Sequence, residues 1–309
     1  MDNMLFVPSV AGTEWVQTVK SGMSAAELPV AGRRIIDYML EFSRRYDAMF
    51  TEVLDWHFSQ ALAGDFSEIT RTGYPVFYVK GEGAVPKGLA EIEGVSTPLT
   101  QKVEDGLVVV WGLVACFADA GSFPCTPVSE EERIDTAPGI YRRSQGRWFR
   151  VDLDLIVMKD VSTWHRVNFG VLHRPGTFTL PGYSAEKNVH IGRGVVMEHG
   201  IAVKPPVLLC DNTWLARNVV LDGDVIVESG SFIGEGTRLA RTFVGRDTYL
   251  GTGLCFEDKI IIGNRVIDPA TGAFADIEEP ELTSRILPGF GWARRIWRFL
   301  RGRSYGRRG

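Results

Sequence analysis

Histidines in the second half of the chain are the residues best suited to act as a catalytic base. His190 and His199 lie in a stretch with a regular six-residue pattern, where an imidazole could deprotonate a hydroxyl or amine nucleophile. Both occupy outward or corner positions of the pattern, and no inserted loop follows them to build an acyl-donor site. We therefore expect both to be solvated, and we expect His57 and His165 to be packing or surface residues.

Acids and thiols give weaker indications of chemistry. The run Ser129–Asp135 contains four acids and could hold a cation, but a solvated loop explains it better. The four cysteines, Cys116, Cys125, Cys210 and Cys255, show no C-x-x-C or metal-ligand spacing. We expect them to be reduced and structural, and we expect no metal site.

The end of the chain has the composition of a surface-binding segment. Arg285–Gly309 contains eight arginines and no acid, so the net charge of −4 leaves about −12 on the rest of the chain. Four apolar residues follow helical spacing on one side: Ala293, Ile296, Trp297 and Leu300. A basic amphipathic helix with tryptophan is typical of membrane-surface segments. The predicted membrane-binding residues are Trp292, Arg294, Arg295, Trp297, Arg298 and Arg301. Packing on the same chain or on another subunit is the alternative, and we do not expect nucleic-acid binding.

A six-residue repeat over Val189–Arg265 positions the histidines. The apolar positions are Ile191, Met197, Val203, Leu209, Leu215, Leu221, Val227, Ile233 and Leu239, and then, after one missing residue, Val244, Leu250, Phe256 and Ile262. Small or β-branched residues stand four places after most of them. This period is typical of a parallel β-helix of the left-handed, hexapeptide kind, with about four coils. Helical or alternating templates fit neither its length nor its spacing.

Composition and length indicate a soluble protein with more than one domain. The chain has 309 residues, 45% of them hydrophobic and 23% charged, which is ordinary for globular proteins. No apolar run is long enough to cross a bilayer, and Met1–Val19 lacks the basic and apolar regions of a signal peptide. We expect a cytoplasmic protein, placed peripherally at the inner face of the membrane if its basic end binds lipid.

Residues 1–180 are predicted to form an α/β domain. Strands are predicted at Leu5–Val7, Pro75–Val79 and Leu107–Trp111, the last buried on both faces of a parallel sheet. One helix is predicted from about Gly32, and another from about Asp47 to Ala63. The β-helix then spans 181–280, and the basic segment spans 281–309.

Several short motifs in this first domain resemble sugar nucleotidyltransferases, and they occur in that family's order. The most specific is Leu28–Glu41, LPVAGRRIIDYMLE, which is similar to the segment after the family's catalytic loop. Three further segments match the nucleotide-contacting, N-A-G-I-Y and W-x-D motifs: Pro86–Ala90, Pro138–Tyr141 and Trp148–Asp152. Asp160–Asn168 resembles the helix that leads into the β-helix of these enzymes. The resemblance implies a reduced, Rossmann-type nucleotidyltransferase-like sheet.

The resemblance also implies where a nucleotide would bind. It places Gly12, Thr13 and Gly88 at the nucleotide, and it makes Lys20 and Asp152 the candidates for the catalytic cation and acid, with Asp154 as a second choice for the acid.

Two charge-critical positions depart from the family pattern. Glu14 stands where the family has an arginine, and its carboxylate would repel a triphosphate. Leu113 stands where the family has a metal-binding aspartate, although Mg²⁺ needs oxygen ligands.

These residues favour a non-catalytic scaffold or regulatory subunit in nucleotide-sugar and surface-polysaccharide synthesis. An active sugar-1-phosphate nucleotidyltransferase with an atypical loop, using Mg²⁺, is the first alternative, and a hexapeptide acyltransferase is the second. We expect no other cofactor. The expected partners are a nucleotide sugar or sugar phosphate, a second copy of the chain or a glycan-synthesis protein, and an anionic membrane surface.

Overall fold

The computed structural model describes residues 2–57, 59–71, 76–93, 95, 106–116, 124–153, 155–174, 180–186 and 188–286. The chain divides into two compact units. The first contains Met1–Leu180 and Pro269–Gly272, and the second contains Pro181–Asp268 and Ala273–Gly309.

The first unit is a mixed α/β structure. Its strands are β1 (Asn3–Val7), β2 (Pro29–Val30), β3 (Arg33–Arg34), β4 (Thr51–Asp55), β5 (Val76–Lys80), β6 (Leu107–Trp111), β7 (Val114–Cys116), β8 (Cys125–Pro127), β9 (Gly139–Ser144), β10 (Arg147–Val151) and β11 (Leu155–Val157). Its helices are α1 (Val16–Val19), α2 (Ile35–Arg45), α3 (Gln60–Arg71), α4 (Leu89–Glu93), α5 (Glu130–Ile134) and α6 (Val161–Leu172), with a 3₁₀ turn at Ala25–Glu27.

A seven-stranded sheet, sheet 1, forms the centre of this unit in the order β5-β4-β1-β6-β9-β10-β8. Strands β5, β4, β1 and β6 are parallel to one another. Strands β9, β10 and β8 then follow in antiparallel pairs. Two two-stranded sheets, β2-β3 and β7-β11, complete the unit.

Local sequence patterns account for several of these elements. The predicted strands at Leu5–Val7 and Leu107–Trp111 are confirmed, and every residue of β6 is buried. The predicted helix after Gly32 is confirmed as α2, which buries Ile35, Ile36, Met39 and Leu40. Helix α6 begins where Asp160 accepts hydrogen bonds from the backbone N–H and the hydroxyl of Thr163 at 2.6 and 2.7 Å. These bonds lower the pKa of Asp160.

The predicted helix over Asp47–Ala63 is wrong. Asp47 adopts a left-handed conformation with φ of 56°, and β4 and α3 follow it instead of one helix. All five residues of β4 are buried between β1 and β5. Because these ladder hydrogen bonds form with strands distant in sequence, they override the local helical spacing.

The second unit consists of short strands arranged in three sheets. Its strands are β12 (Tyr183–Glu186), β13 (Val189–Ile191), β14 (Val196–Met197), β15 (Ala202–Lys204), β16 (Val207–Leu209), β17 (Trp214–Leu215), β18 (Val220–Asp222), β19 (Val225–Val227), β20 (Phe232–Ile233), β21 (Arg238–Ala240), β22 (Thr242–Val244), β23 (Thr248–Leu250), β24 (Cys255–Glu257), β25 (Ile260–Ile262), β26 (Arg265–Ile267), β27 (Phe274–Asp276) and β28 (Thr283–Arg285).

Successive coils of the repeat stack in register, which makes this unit compatible with a β-helix. Sheet 2 has the order β12-β13-β16-β19-β22-β25-β26-β27, sheet 3 β14-β17-β20-β23-β28 and sheet 4 β15-β18-β21-β24. Val207 pairs with Val225, 18 residues on, whereas Val227 pairs with Val244, 17 residues on. The stacking of six-residue repeats is therefore confirmed, and so is the missing residue predicted between Leu239 and Val244.

The apolar column inside the stack follows the predicted frame from Val203 onward with one correction, whereas Ile191 and Met197 of the first coil lie outside the buried cluster and Met197 is 40% exposed. Leu209, Leu215, Leu221, Val227 and Ile233 belong to one buried cluster, as predicted, with Leu239, Val244 and Leu250. The prediction of Ile262 in the column is wrong, since Val244 pairs with Ile261, and Ile261 is the residue in the cluster. The turn at Arg241, before β22, is one residue shorter than the turn of the preceding coil. The turn at Asp258, before β25, is shortened in the same way.

None of the helices within the described ranges has the length and apolar character that a bilayer-spanning helix requires. The predicted membrane-binding residues, from Trp292 to Arg301, lie outside the described residues.

Candidate functional site

The carboxyl edge of sheet 1 is where an α/β fold of this order would bind a ligand. The chain adds β4 and β5 on one side of β1 and then β6 on the other. Ligands of open α/β sheets bind in the crevice at such a reversal of strand order. The residues at this crevice follow β1 and β6: Pro8–Thr13 and Gly112–Leu113.

The structure places four of the five predicted site residues at this edge or on segments joined to it. Gly12 and Thr13 follow β1, and the neighbouring Ala11 N–H donates to the Pro86 carbonyl at 3.2 Å, next to the segment that carries Gly88. Strand β10 runs parallel to β6, and the register of β9 and β10 puts Asp152 level with Gly139, the partner of Trp111. Asp152 is therefore two strand spacings from Trp111, or about 10 Å.

The fifth predicted residue, Lys20, is exposed just after helix α1, where its backbone N–H donates to the Val16 carbonyl at 3.2 Å. No described hydrogen bond or ion pair joins Lys20 to Asp152. Asp154 lies outside the described residues.

The crevice between β1 and β6 is packed with the protein's own side chains. Val10 and Trp111 are buried in one apolar cluster. A Cβ added to Gly112 would lie 3.0 Å from Pro138 Cβ and 3.2 Å from Val10 Cγ2. The Trp111 indole N–H donates to the Thr136 carbonyl at 2.9 Å, so the segment after α5 closes over the end of β6.

Gly88 is covered in the same way by helix α5. A Cβ built on Gly88 would lie 2.4 Å from the carbonyl oxygens of both Arg133 and Ile134. Thr136 Oγ1 accepts the Leu89 N–H at 3.0 Å, and the Thr136 N–H donates to the Lys87 carbonyl at 3.0 Å. The glycine therefore allows a close approach of the backbone, and here the approaching backbone is that of α5.

The acidic run predicted as a solvated loop forms α5 itself. Ser129 and Glu132 cap each other reciprocally, with the Glu132 N–H donating to Ser129 Oγ at 3.2 Å and the Ser129 N–H donating to Glu132 Oε2 at 3.0 Å. Arg133 pairs with Glu130 and Glu93, each at 2.9 Å. Within the described residues, no group of three or more His, Cys, Asp or Glu side chains could hold a metal ion.

Leu113 is 1% exposed, and its carbonyl accepts the Met158 N–H at 2.8 Å. It is a core residue, and it brings no oxygen ligand to the place where the resemblance requires a carboxylate. Asp152 is exposed, with Thr126 Oγ1 3.5 Å from its Oδ1. A single exposed carboxylate is a weak site for a magnesium ion.

A buried polar cluster beside the crevice was missed by the sequence analysis. Asp55, at the end of β4, is fully buried and accepts hydrogen bonds from the hydroxyls of Ser9, Ser24 and Tyr78 and from the His57 N–H. The Ser9 and Tyr78 bonds are 2.7 and 3.0 Å long. Burial and the adjacent carboxylate raise the pKa of Tyr78. Ser9 and Ser24 bracket the loop of Gly12, so Asp55 fixes both ends of that loop to sheet 1.

One apolar cavity of about 30 Å³ lies beside helix α2. It would admit about one water molecule, and nucleotide-sized pockets are at least tenfold larger. Its lining is apolar apart from Tyr38: Phe6, Val30, Ile35, Tyr38, Met39, Phe42, Val110, Val114, Ile140 and Val171.

The two histidines of the repeat differ from each other. His199 is exposed, as predicted, but the prediction of a solvated His190 is wrong, since His190 is 9% exposed. Its Nε2 has no hydrogen-bond partner among the residues that the structure describes, and burial lowers its pKa. His190 lies on β13 and pairs with Leu208 of the next coil. Leu208 is apolar and fully buried.

Sheet 3 carries an aromatic row on its outer surface. Trp214, Phe232 and Tyr249 stand in register on β17, β20 and β23 and are half-buried. The Phe232 and Tyr249 rings are stacked with centroids 5.4 Å apart, and Trp214 lies 6.4 Å from Phe232. Arg217 pairs with Glu235 at 2.9 Å beside this row.

Comparison of the chain with models of known protein families gives no match, and comparison with curated proteins gives no significant match. The nucleotidyltransferase resemblance therefore stays a prediction from the motifs.

Proposed function

We propose that this protein is a non-catalytic relative of sugar nucleotidyltransferases, with a left-handed β-helix as its second unit. It serves as a scaffold or regulatory subunit in nucleotide-sugar and surface-polysaccharide synthesis. The observation that carries the proposal is the packing of α5 against Gly88, because backbone atoms stand where the resemblance requires a nucleotide.

Electrostatics support the same proposal. Phosphoryl transfer depends on cations that neutralise the transferred charge and on carboxylates that hold the metal. In this chain an exposed Glu14 replaces the loop arginine, and buried Leu113 replaces the metal-binding aspartate. Val10, Trp111 and Pro138 occupy the crevice itself.

Pyrophosphate release tests the absence of catalysis. The full chain is incubated with Mg²⁺, each common nucleoside triphosphate and a set of sugar 1-phosphates. We expect the same rate as in protein-free controls and no effect of Asp152→Asn. Mg²⁺-dependent turnover that falls in Asp152→Asn would establish the active alternative instead.

The scaffold role requires a surface for association, and the aromatic row is the best candidate. Stacked rings cover each other's faces and present their edges outward, which suits packing against protein better than stacking on sugars or bases. Both charge signs stand beside the row, in Glu198, Arg217 and Glu235. A surface that combines an apolar row with both signs can complement itself across a twofold axis, so we assign the row to contact with a second copy of the chain.

Sedimentation velocity over a range of protein concentrations tests this assignment. We expect the intact chain to sediment as a dimer or larger species and Phe232→Ser to shift it toward the monomer. Arg238→Ser, on the exposed surface of sheet 4, is the matched control and should leave the distribution unchanged. A monomeric intact chain, or equal behaviour of both variants, would contradict the assignment.

A further inference from the structure

A cleft of about 410 Å³ opens beside the first coil of the second unit. Its lining comes from the segment that leads into the stack and from the turns of the first two coils: Pro181, Gly182, Tyr183, Arg193 and Asp211. All five residues belong to the second unit. The volume falls within the range of about 300–1,000 Å³ that is usual for small-molecule sites. We call this feature the first-coil cleft.

Two glycines bring the segments that line the first-coil cleft into close contact. A Cβ added to Gly182 would collide with the Ile191 carbonyl oxygen, and a Cβ added to Gly192 would lie 2.6 Å from the Asp211 nitrogen. The three segments therefore approach one another more closely than larger residues would permit. The pairing of Tyr183 with Ile191 fixes the first of these segments to β13.

Hydrogen bonds to the next coil hold the Arg193 backbone, while its side chain stays in solvent. The Arg193 N–H donates to Asp211 Oδ1 at 2.7 Å, and the Arg193 carbonyl accepts the Asn212 N–H at 2.8 Å. The side chain of Arg193 is 92% exposed, and its Nη2 lies 3.6 Å from Asp211 Oδ2. That distance is longer than a hydrogen bond. Among the described residues, the guanidinium therefore keeps its N–H groups available to a ligand.

Tyr183 presents an aromatic ring to the same cleft. Its side chain is 60% exposed, and it stacks on no other ring among the described residues, unlike Phe232 and Tyr249 of sheet 3. A tyrosine combines an apolar ring face with a polar hydroxyl, and Pro181 adds a second apolar surface. An exposed ring of this kind can pack against the C–H face of a sugar.

The charges of the cleft favour a ligand with one acidic group. A guanidinium binds a carboxylate or a phosphate through two parallel hydrogen bonds, and Arg193 is placed to do so. Asp211 accepts hydrogen bonds from hydroxyls. Because its charge offsets that of Arg193, the pair gives little attraction to a chain of phosphates. A sugar with several hydroxyls and a single acidic group matches this arrangement better than a nucleoside triphosphate does.

We propose that the first-coil cleft binds a sugar that carries one acidic group. Tyr183 packs on the sugar ring, Arg193 binds the acidic group, and Asp211 Oδ2 accepts a hydroxyl. The acidic group is a phosphate in a sugar phosphate and a carboxylate in a uronic acid. This proposal does not depend on the proposed function, since it rests on the residues of the cleft alone.

Ligand-observed NMR on the full chain, without Mg²⁺ or nucleotide, tests the site with glucose 1-phosphate and glucuronic acid. We expect saturable binding of at least one probe with a millimolar or lower Kd, and the tighter probe identifies the source of the acidic group. Arg193→Gln should weaken binding by about tenfold or more, because hydrogen bonds between charged groups are the strong ones. Tyr183→Ala should weaken it several-fold. Arg238→Gln, at an exposed arginine of sheet 4, is the matched control and should bind as the intact chain does.

Several results would overturn the proposal: binding of neither probe, equal binding of uncharged glucose, tighter binding of ATP, or an unchanged Kd in Arg193→Gln. The side chains of Arg193 and Tyr183 are exposed, so both variants should keep the melting temperature of the intact chain. Arg193→Lys retains the charge without the paired hydrogen bonds and should restore part of the affinity. The turnover assay requires nucleotide and metal, and this one contains neither, so either can fail without the other.

Discussion

At the scale of single residues, Gly88 allows a close approach to its backbone, and the group that approaches it is helix α5. The resemblance predicted a glycine that lets a nucleotide approach the backbone, and the structure places α5 there. The sequence could indicate the need for a residue without a Cβ. It could not indicate the approaching group, because α5 lies more than forty residues away.

Gly88→Ala should therefore destabilise the first unit. The new Cβ would stand 2.4 Å from two carbonyl oxygens, and forcing a methyl group into packed surroundings costs about 1–3 kcal/mol. Gly64→Ala in helix α3 is the matched control, since nothing lies within 4 Å of its added Cβ. That change should stabilise the helix by about 0.5–1 kcal/mol. Urea unfolding measures both, and an equal effect of the two variants would refute the close packing at Gly88.

Asp55 yields the second prediction at this scale. Asp55→Asn replaces a carboxyl oxygen by an amide that donates, although four donors converge on this group. A buried donor facing donors costs about 1–3 kcal/mol, so we expect a loss of about 2 kcal/mol in the free energy of unfolding. Exposed Asp152→Asn should change it by less than about 0.5 kcal/mol. Equal stability of the two variants would show that Asp55 does not hold the loop.

At the scale of elements, the predictions succeeded where a local sequence pattern determines the secondary structure. They failed where contacts between distant segments determine it. Strand β6 and helix α2 form as their local sequence patterns predict. Strand β4 has helical spacing and becomes a strand only because β1 and β5 flank it. The shortened turn at Asp258 was missed because Ile260, Ile261 and Ile262 fit either frame equally well.

The sheet-2 surface makes stability dependent on pH through His190. Burial lowers its pKa in the folded protein, so below the ordinary value of about 6.5 the unfolded chain takes up the proton first. Stability is unaffected above that pH, falls as the pH drops through it, and levels off below the lowered pKa. His190→Leu should remove this fall, whereas exposed His199→Leu should retain it. Urea unfolding at several pH values measures this dependence. If stability falls as steeply with decreasing pH in His190→Leu as in the intact chain, the imidazole is not buried as described.

At the scale of the whole molecule, the two units differ in what they retain. The first has a mixed α/β sheet whose crevice is occupied by Val10, Trp111 and Pro138. The second has a regular column and three outer surfaces of different chemistry. Sequence patterns could predict the column, but the crevice depends on which side chains meet across sheet 1. The proposed function assigns chemistry to neither unit and association to the second.

Calorimetric titration with Mg²⁺ and nucleoside triphosphates tests the central claim most directly. If the crevice is occupied by the chain itself, no saturable heat should appear up to about 1 mM nucleotide, the upper end of ordinary enzyme KM values. Thr13→Ala and Asp152→Asn should give the same flat titration as the intact chain. Saturable binding in the micromolar range that either substitution weakens would contradict the account.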